Sequence, residues 1–221
     1  MTLERILEPE VMDSWDEARE YDSMDHQAVN ELFVADLLAA GEGLGDVLDL
    51  GTGTAQIPVL LCKQDASCRV MAVDLAASML DLAVYNLEAA GLTRRIQLAQ
   101  CDAKGLPHSD EMFDVVMSNS IVHHVPEPRS CLAEAVRVTK IGGRLFFRDL
   151  MRPDTQEQLD HLVETYAGDA TEHQRKMFRE SLHAALSLDE IRALVSELGF
   201  PPDTVQATSD RHWTWSGTRS S

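Results

Sequence analysis

The feature that most constrains the fold is a short apolar run that ends in a glycine-rich turn. Residues 47–50 (VLDL) have the length of a buried strand, and residues 51–55 (GTGTA) follow directly. The next segment, 56–61 (QIPVLL), is apolar enough for a helix, so the pattern predicts a strand, a turn and a helix. Because glycine has no Cβ, a ligand can approach the main chain of such a turn closely.

The same alternation repeats along the chain. Further strands are predicted at 69–73, 95–99, 113–117 and 144–149, with helical patterns between them. Strands that alternate with helices predict an α/β fold with a doubly wound, mostly parallel sheet. Residues 204–208 and 212–215 predict two more strands, which form an antiparallel C-terminal hairpin at the sheet edge. The expected sheet is therefore seven-stranded.

Several helices are expected outside this alternation. Val29, Phe33 and Leu37 have helical spacing and predict an N-terminal helix that lies outside the sheet. In the tail, 159–166 predicts a helix with Tyr166 on its apolar face, and Ser187 begins another with capping-box spacing. A chain of 221 residues favours one domain over 1–221. We divide it into a helical cap (1–40), a ligand-binding half (41–150), and a helical insertion with the closing hairpin (151–221).

The charge of the chain narrows the choice of partners. It has 19 basic and 37 acidic residues and a formal net charge of −18, which disfavours nucleic acid and anionic membrane surfaces as partners. No apolar run reaches the roughly 18–20 residues of a membrane span, and the first residues lack a signal-peptide pattern, so a cytoplasmic location is expected.

The cysteines, at 62, 68, 101 and 131, have no zinc-site spacing. They are expected to be buried free thiols, and no metal site is predicted.

Acidic residues stand at the ends of three successive strands. Asp49, Asp74 and Asp102 occupy these positions, and open α/β sheets bind ligands beyond the carboxyl ends of their strands. Asp74 is placed to accept hydrogen bonds from a ribose diol, and Asp102 would then face the amine of an adenine. Asp49 would accept a ligand amine. A dinucleotide fingerprint needs glycine where Gln56 stands, which counts against an NAD(P)-linked reductase but leaves it as an alternative. The alternative for any one of these acids is a structural role, in which its carboxylate caps a turn or a helix instead of binding a ligand.

These segments resemble the class I S-adenosylmethionine-dependent methyltransferases, in their small-molecule branch. VLDLGTGT resembles their first motif, AVDLAASML the ribose-binding motif, QCDA the adenine-contacting stretch, and FDVVMSNSIVHHVPEP the fourth motif. The similarity covers about residues 45–150 and, more weakly, 18–22. It implies a Rossmann-like methyltransferase fold, S-adenosyl-L-methionine as cofactor, S-adenosyl-L-homocysteine as product and a small-molecule methyl acceptor. Ala55 departs from the family, in which many members have a third glycine there.

The resemblance also implies roles for individual residues. The cofactor-binding residues it suggests are Asp49, Gly51, Thr52 and Gly53 around the methionine moiety, Asp74 on the ribose, Leu75 and Met79 beside the adenosine, Asp102 and Ala103 at the adenine edge, Asn119 near the sulfonium, and Tyr21. His123 and His124 follow the fourth strand and are the candidate catalytic residues. Either could act as a general base, and the alternative is a structural hydrogen-bonding role.

The acceptor pocket is less well defined by the sequence. Its candidate residues are Tyr21, Asp22, His26, Arg148, Arg152, Tyr166, His183, Arg211, His212 and Trp213. Arg148 and Arg152 could clamp an acceptor carboxylate or phosphate, and surface ion pairs are the alternative. We expect Trp213 and Trp215 to pack in the core or at the sheet edge instead of forming a surface on which the methyl acceptor stacks. The sequence does not indicate the acceptor, the attacked atom or the oligomeric state, and a cofactor-binding protein without catalysis remains an alternative.

Overall fold

A computed structural model describes residues 3–8, 13–23 and 26–220, without the side chains of residues 16, 17, 21 and 23. Seven strands form one sheet in the order β3-β2-β1-β4-β5-β7-β6. In chain order they are β1 (Asp46–Leu50), β2 (Arg69–Asp74), β3 (Ile96–Gln100), β4 (Phe113–Asn119), β5 (Thr139–Leu150), β6 (Val205–Ala207) and β7 (His212–Thr218). Strands β1 to β5 pair in parallel, and β7 pairs antiparallel with β5 and β6. The predicted mostly parallel sheet with an antiparallel C-terminal hairpin is confirmed.

Eight α-helices surround the described sheet. They are α1 (Trp15–Ser23), α2 (Gln27–Ala39), α3 (Gln56–Gln64), α4 (Ala77–Ala90), α5 (Pro128–Val138), α6 (Gln156–Ala167), α7 (Glu172–Ala184) and α8 (Leu188–Glu197). Short 3₁₀ turns form at Val122–His124 and Pro202–Thr204. Gly91 ends α4 in a left-handed conformation, and Ser187 caps α8 in a complete capping box, as the sequence predicts.

Both faces of the sheet are buried. Leu48 and Phe147 belong to the apolar cluster that includes residues of α5 and α8, whereas Val47 and Met117 belong to the cluster formed with α2, α3 and α4. Successive residues of a strand point to opposite faces, so a strand covered on both sides must be apolar almost throughout. This explains the nearly continuous apolar run of β4, which Asp114 alone interrupts before Ser118, and it leaves the ends of the central strands as their polar part.

Three elements differ from the prediction. Strand β5 begins at Thr139, not at 144, because residues before the expected start already pair with Phe113 of β4. Helix α1 has too few apolar residues to be recognised in the sequence. Tyr166 does not lie on the buried face of α6; it is 44% exposed, and its hydroxyl donates to Asp210 Oδ2 at 2.7 Å.

Residues 3–8 form an extended segment that is bonded to the tail of the chain. The amide of Leu3 donates to the carbonyl of Asp154, and that of Ile6 donates to the carbonyl of His183. The Arg5 guanidinium donates to the carbonyls of Ala184 and Val125, so the segment links α7 to the loop after β4. The longest helix in the described ranges, α4, has 14 residues, and no helix there combines the length and apolarity required to cross a bilayer.

Replacing Ala55 by glycine is expected to stabilise the protein. Ala55 precedes α3 with φ +60° and ψ +26°, a left-handed conformation that costs a residue with a Cβ about 1–2 kcal/mol. Glycine removes that strain but adds roughly 0.4–1 kcal/mol of unfolded-chain entropy, so a net gain of about 0.5–1 kcal/mol is expected from denaturant unfolding. The control is Ala83→Gly inside α4, which should lose at least about 1 kcal/mol. Equal losses in both variants would contradict the strain at Ala55.

Candidate functional site

The carboxyl ends of β1 to β4 surround an open cleft. Parallel pairing places these ends at one edge of the sheet, which is where ligands bind in such folds. The predicted site residues that line this cleft are Gly51, Gly53, Asp74, Leu75, Met79, Asp102, Ala103, Asn119 and His124. The structure therefore brings together residues that are up to 73 positions apart in the sequence.

A smaller cleft adjoins the first. It is lined by Asp49 and Thr52, and it shares Gly51 and Asn119 with the larger cleft. The two clefts together form a path from Asp102 at one end to Asp49 at the other. The predicted side-chain role of Tyr21 falls outside the described side chains, although its main chain belongs to α1.

The glycine turn fits closely between its neighbours. Gly51 has φ +68°, and a Cβ built on it would lie 2.7 Å from Cδ1 of Ile121, so a larger residue has no room there. Its amide donates to the carbonyl of Val73 at 2.9 Å. The amide of Gly53 donates to Asp74 Oδ2 at 2.8 Å. The turn after β1 is thus fixed to the end of β2, and it orients the carboxylate of Asp74.

Burial and neighbouring groups set the pKa of each of the three acids. It raises the pKa of Asp49 to about 7, and the charge of Asp74 adds to this effect. Burial also raises the pKa of Asp74, despite the amides of Ala76 and Gly53 that donate to it. For Asp102 the effect of burial is outweighed by Lys104, whose amide donates at 2.8 Å and whose ammonium lies at 3.1 Å, so its pKa is lowered. Neighbouring carboxylates with disfavoured ionisation are typical of a ligand site.

The two histidines have different surroundings. His124 lines the cleft, and its Nδ1 lies 3.0 Å from Glu8 Oε1. His123 is buried, and its Nδ1 lies 2.5 Å from Asp149 Oδ1. Burial lowers the pKa of His123, but the charge of Asp149 outweighs it and the net shift is upward. Of the predicted pair, only His124 reaches the cleft.

The predicted acceptor residues lie elsewhere. None of those with described side chains lines either cleft. Arg148 pairs with Asp36 at 2.5 Å and Arg152 pairs with Glu190 at 2.6 Å, so both guanidinium groups are engaged in ion pairs, and both arginines are buried. The sequence suggests ion pairs at the surface; in the structure the arginines are buried, while the side chains of Asp36 and Glu190 are 44% and 43% exposed. Trp213 is fully buried, which confirms packing over an acceptor platform.

Several cleft residues were assigned no binding or catalytic role from the sequence. They are Val73, Ala76, Cys101, Lys104, Ser120, Ile121 and Val125. Ser120 has φ +62°, a conformation that is rare without glycine and that clusters at functional sites. Of these residues, Lys104 could have been predicted from the sequence. It follows Asp102 by two residues at a strand end, so its ammonium can reach that carboxylate. Cys101 is half-buried, unlike the three fully buried cysteines that the sequence predicts correctly.

Comparison with known proteins agrees with this geometry. The family model described as "Methyltransferase domain" matches residues 48–147. The chain is 30% identical over 203 residues to a ubiquinone/menaquinone biosynthesis C-methyltransferase UbiE of Xanthomonas campestris, covering 83% of this chain and 78% of the relative. A methyltransferase structure from Aquifex aeolicus, described as SAM-dependent, has a TM-score of 0.66 at 17% identity, covering 92% of this chain and 97% of that one.

A second structure shares the fold with a bound cofactor. It is phosphoethanolamine N-methyltransferase 2 of Haemonchus contortus in complex with S-adenosyl-L-methionine, with a TM-score of 0.62 at 19% identity over 77% of this chain and 36% of that one. The chain belongs to the class I S-adenosylmethionine-dependent methyltransferase family. It is an S-adenosylmethionine-dependent methyltransferase, and the alternative of an NAD(P)-linked reductase is set aside.

Asp49→Asn is expected to stabilise the cofactor-free protein above pH 7. An acid whose pKa is about 4 unfolded and about 7 folded contributes stability that is present at low pH and is lost as the pH rises to 7. The melting temperature of the variant should therefore exceed that of the wild type increasingly from pH 4 to 7, and the difference should level off above pH 7. The exposed Asp81→Asn on α4 is the control and should show a flat difference. A flat difference for Asp49→Asn would contradict the effect of burial.

Proposed function

We propose that the protein transfers the methyl group of S-adenosyl-L-methionine to a small-molecule acceptor by in-line displacement. The observation that supports this most is the pair of adjoining clefts, which place Asp102, Asp74 and Gly51 along one and Asp49 in the other. Their chemistry suits each part of the cofactor in order: an adenine amine, a ribose diol and an amino acid ammonium. The sulfonium would lie near Asn119, which lines both clefts and therefore stands where they meet.

The residue roles follow the same order. We assign Asp102 and Ala103 to the adenine edge and Asp74 to the ribose hydroxyls, with Leu75 and Met79 as apolar contacts of the adenosine. Around the methionine moiety we assign the turn residues Gly51, Thr52 and Gly53, together with Asp49. The amides of Gly53 and Ala76 each donate to one oxygen of Asp74, so the carboxylate has a fixed orientation, and each oxygen keeps a second lone pair for a ribose hydroxyl.

Orientation supplies most of the catalysis in this proposal. Methyl transfer from a sulfonium has a neutral leaving group, so the protein must align the acceptor atom, methyl and sulfur and exclude water. A base is needed only where the acceptor loses a proton. His124 lines the cleft and is the member of the predicted pair that we propose to contact the acceptor. His123, held by Asp149 outside the cleft lining, is proposed as a positioning residue.

The first acceptor class to test is a quinol-type aromatic carbon. The relatives that cover most of this chain are named ubiquinone/menaquinone C-methyltransferases. An electron-rich ring carbon attacks the sulfonium methyl group, the sulfur leaves as a neutral thioether, and the ring proton passes to a base, for which His124 in the cleft is the candidate. The net charge of −18 disfavours polyanionic acceptors, which agrees with a neutral aromatic substrate.

Asp74→Ala is expected to weaken S-adenosyl-L-homocysteine binding by about 1–3 kcal/mol, because two ribose hydroxyls lose a charged partner. Titration calorimetry of the folded variant measures this loss. Asp81→Ala, an exposed acid on α4, serves as the control and should bind like the wild type. A dissociation constant for Asp74→Ala equal to that of the control would remove Asp74 from the cofactor site. NADH should give no binding heat with the wild type.

Labelled methyl transfer identifies the acceptor. The protein is incubated with a deuterated-methyl cofactor and either a demethylated quinol or a small-molecule cell extract, and the products are analysed by mass spectrometry. We expect a labelled ring carbon in the quinol reaction and its loss in His124→Ala. Label in a different small molecule would support methyl transfer and would identify that molecule, instead of the quinol, as the acceptor. No labelled product in either reaction would favour a cofactor-binding protein without catalysis.

A further inference from the structure

A buried cluster joins the N-terminal segment to the two histidines. Oε1 of Glu8 lies 3.4 Å from Nε2 of His123 and 3.0 Å from Nδ1 of His124. The side chains of Glu8 and His123 are only 10% and 4% exposed. Glu8 comes from the segment 3–8, whereas the histidines form the 3₁₀ turn after β4. Three ligand-type atoms from distant parts of the chain therefore point into one small volume.

Asp149 fixes the orientation of His123. Its Oδ1 lies 2.5 Å from Nδ1 of His123, and its Oδ2 accepts the amides of Val122 and His123. A carboxylate at Nδ1 places the proton there and directs the lone pair of Nε2 towards Glu8. The same carboxylate–histidine arrangement orients the histidine ligands of metal ions.

This arrangement leaves acceptors facing one another. With the proton on Nδ1, both Nε2 of His123 and Oε1 of Glu8 offer lone pairs, at a separation of 3.4 Å. Oε1 of Glu8 and Nδ1 of His124 are buried atoms without a hydrogen-bond partner in the described part of the chain, despite their 3.0 Å separation. The other oxygen of Glu8 is satisfied by the hydroxyl of Ser181 at 3.2 Å. A buried carboxylate oxygen between two imidazole nitrogens is satisfied by a proton on one of the rings or by a bound cation, and the cation would bond to all three atoms.

The distances fit a tetrahedral ion. Zinc lies about 2.0–2.2 Å from histidine nitrogen and carboxylate oxygen, so the ligand atoms around it stand about 3.3–3.5 Å apart. The two measured separations are 3.0 and 3.4 Å, and all three atoms lie within 4.8 Å of one another. We propose that Glu8, His123 and His124 form a binding site for a divalent transition metal ion of the zinc class.

The ligand set also limits which ion binds. Two imidazoles and one carboxylate suit Zn²⁺, Co²⁺ or Ni²⁺, whereas Mg²⁺ and Ca²⁺ prefer oxygen ligands. Three protein ligands leave a fourth position for water or a ligand. The ionised Glu8 and Asp149 carry two negative charges, which a divalent ion neutralises. Arg5, the nearby cation, donates to main-chain carbonyls of His123 and Val125.

The ion would fasten the N-terminal segment beside the cofactor cleft. His124 is both a proposed ligand and a cleft residue, so the metal would lie at the rim of the cleft. This site does not depend on the acceptor proposed above, because its ligands are assembled by the fold. It departs from the sequence-based expectation of no metal site.

Metal binding by the full chain tests this proposal directly. The purified protein is treated with a chelator, dialysed, and titrated with Zn²⁺ by calorimetry and with Co²⁺ by visible absorption. We expect one equivalent of Zn²⁺, a rise in melting temperature on binding, and a Co²⁺ spectrum of tetrahedral type. Glu8→Gln and His124→Ala should each weaken binding by about 100-fold or more, and Asp149→Asn by about 10- to 100-fold. Glu4→Gln, an exposed acid of the same segment, is the matched control and should bind like the wild type.

Two results would overturn the proposed metal site. Absence of stoichiometric Zn²⁺ binding by the wild type would overturn the proposal. So would equal affinity in Glu8→Gln and Glu4→Gln, because the ion would then be bound elsewhere, for instance by exposed histidines. His124→Ala changes a half-buried side chain at the cleft rim, so it keeps the test valid if a more buried variant does not fold. The readout is metal affinity, so failure of the proposed methyl acceptor leaves it unaffected.

Discussion

The parallel pairing of β1 with β2 and β4 is the constraint on which the site depends. In this register Asp49 lies beside Ala72 of β2 and Met117 of β4, so all three strands end at the same edge. The glycine turn, the carboxylate of Asp74 and the 3₁₀ turn with the histidines follow from that alignment. Apolar layers cover both faces of the central strands, so the polar groups at this edge are the part of β1 and β4 that a polar ligand can reach in the described structure.

The residues of the site lower the stability of the ligand-free protein. Burial disfavours the charged forms of Asp49 and Asp74, and these groups stabilise the fold less than apolar residues of the same size would. Ala55 and Ser120 hold positive φ values close to the same edge. Strain and desolvation thus concentrate where a ligand can relieve them, while the two apolar clusters supply the stability that offsets them.

The sequence predicted the parts of the molecule that local rules determine. Strand β1 and the turn after it were evident because an apolar run stops at glycines, and Asp74 and Asp102 followed because parallel strands end together. The positions of Arg148 and Arg152 were not predictable, since their acidic partners, Asp36 and Glu190, come from distant helices. Glu8 was missed for the same reason: 115 residues separate it from His123, and only the folded chain brings them together. Tyr166 was misplaced because helical spacing could not show that Asp210 would attract its hydroxyl outward.

The unusual ionisation of Asp49 has a consequence for how ligand uptake is observed. Near neutral pH the carboxyl group of the empty protein is partly protonated, because its pKa is about 7. In the binding mode proposed above, an ammonium group lies beside this carboxyl group and favours its ionised form, so uptake of the ligand would release a fraction of a proton into the buffer. The heat of association then includes the ionisation enthalpy of the buffer, and it differs between phosphate and Tris even though the contacts are the same.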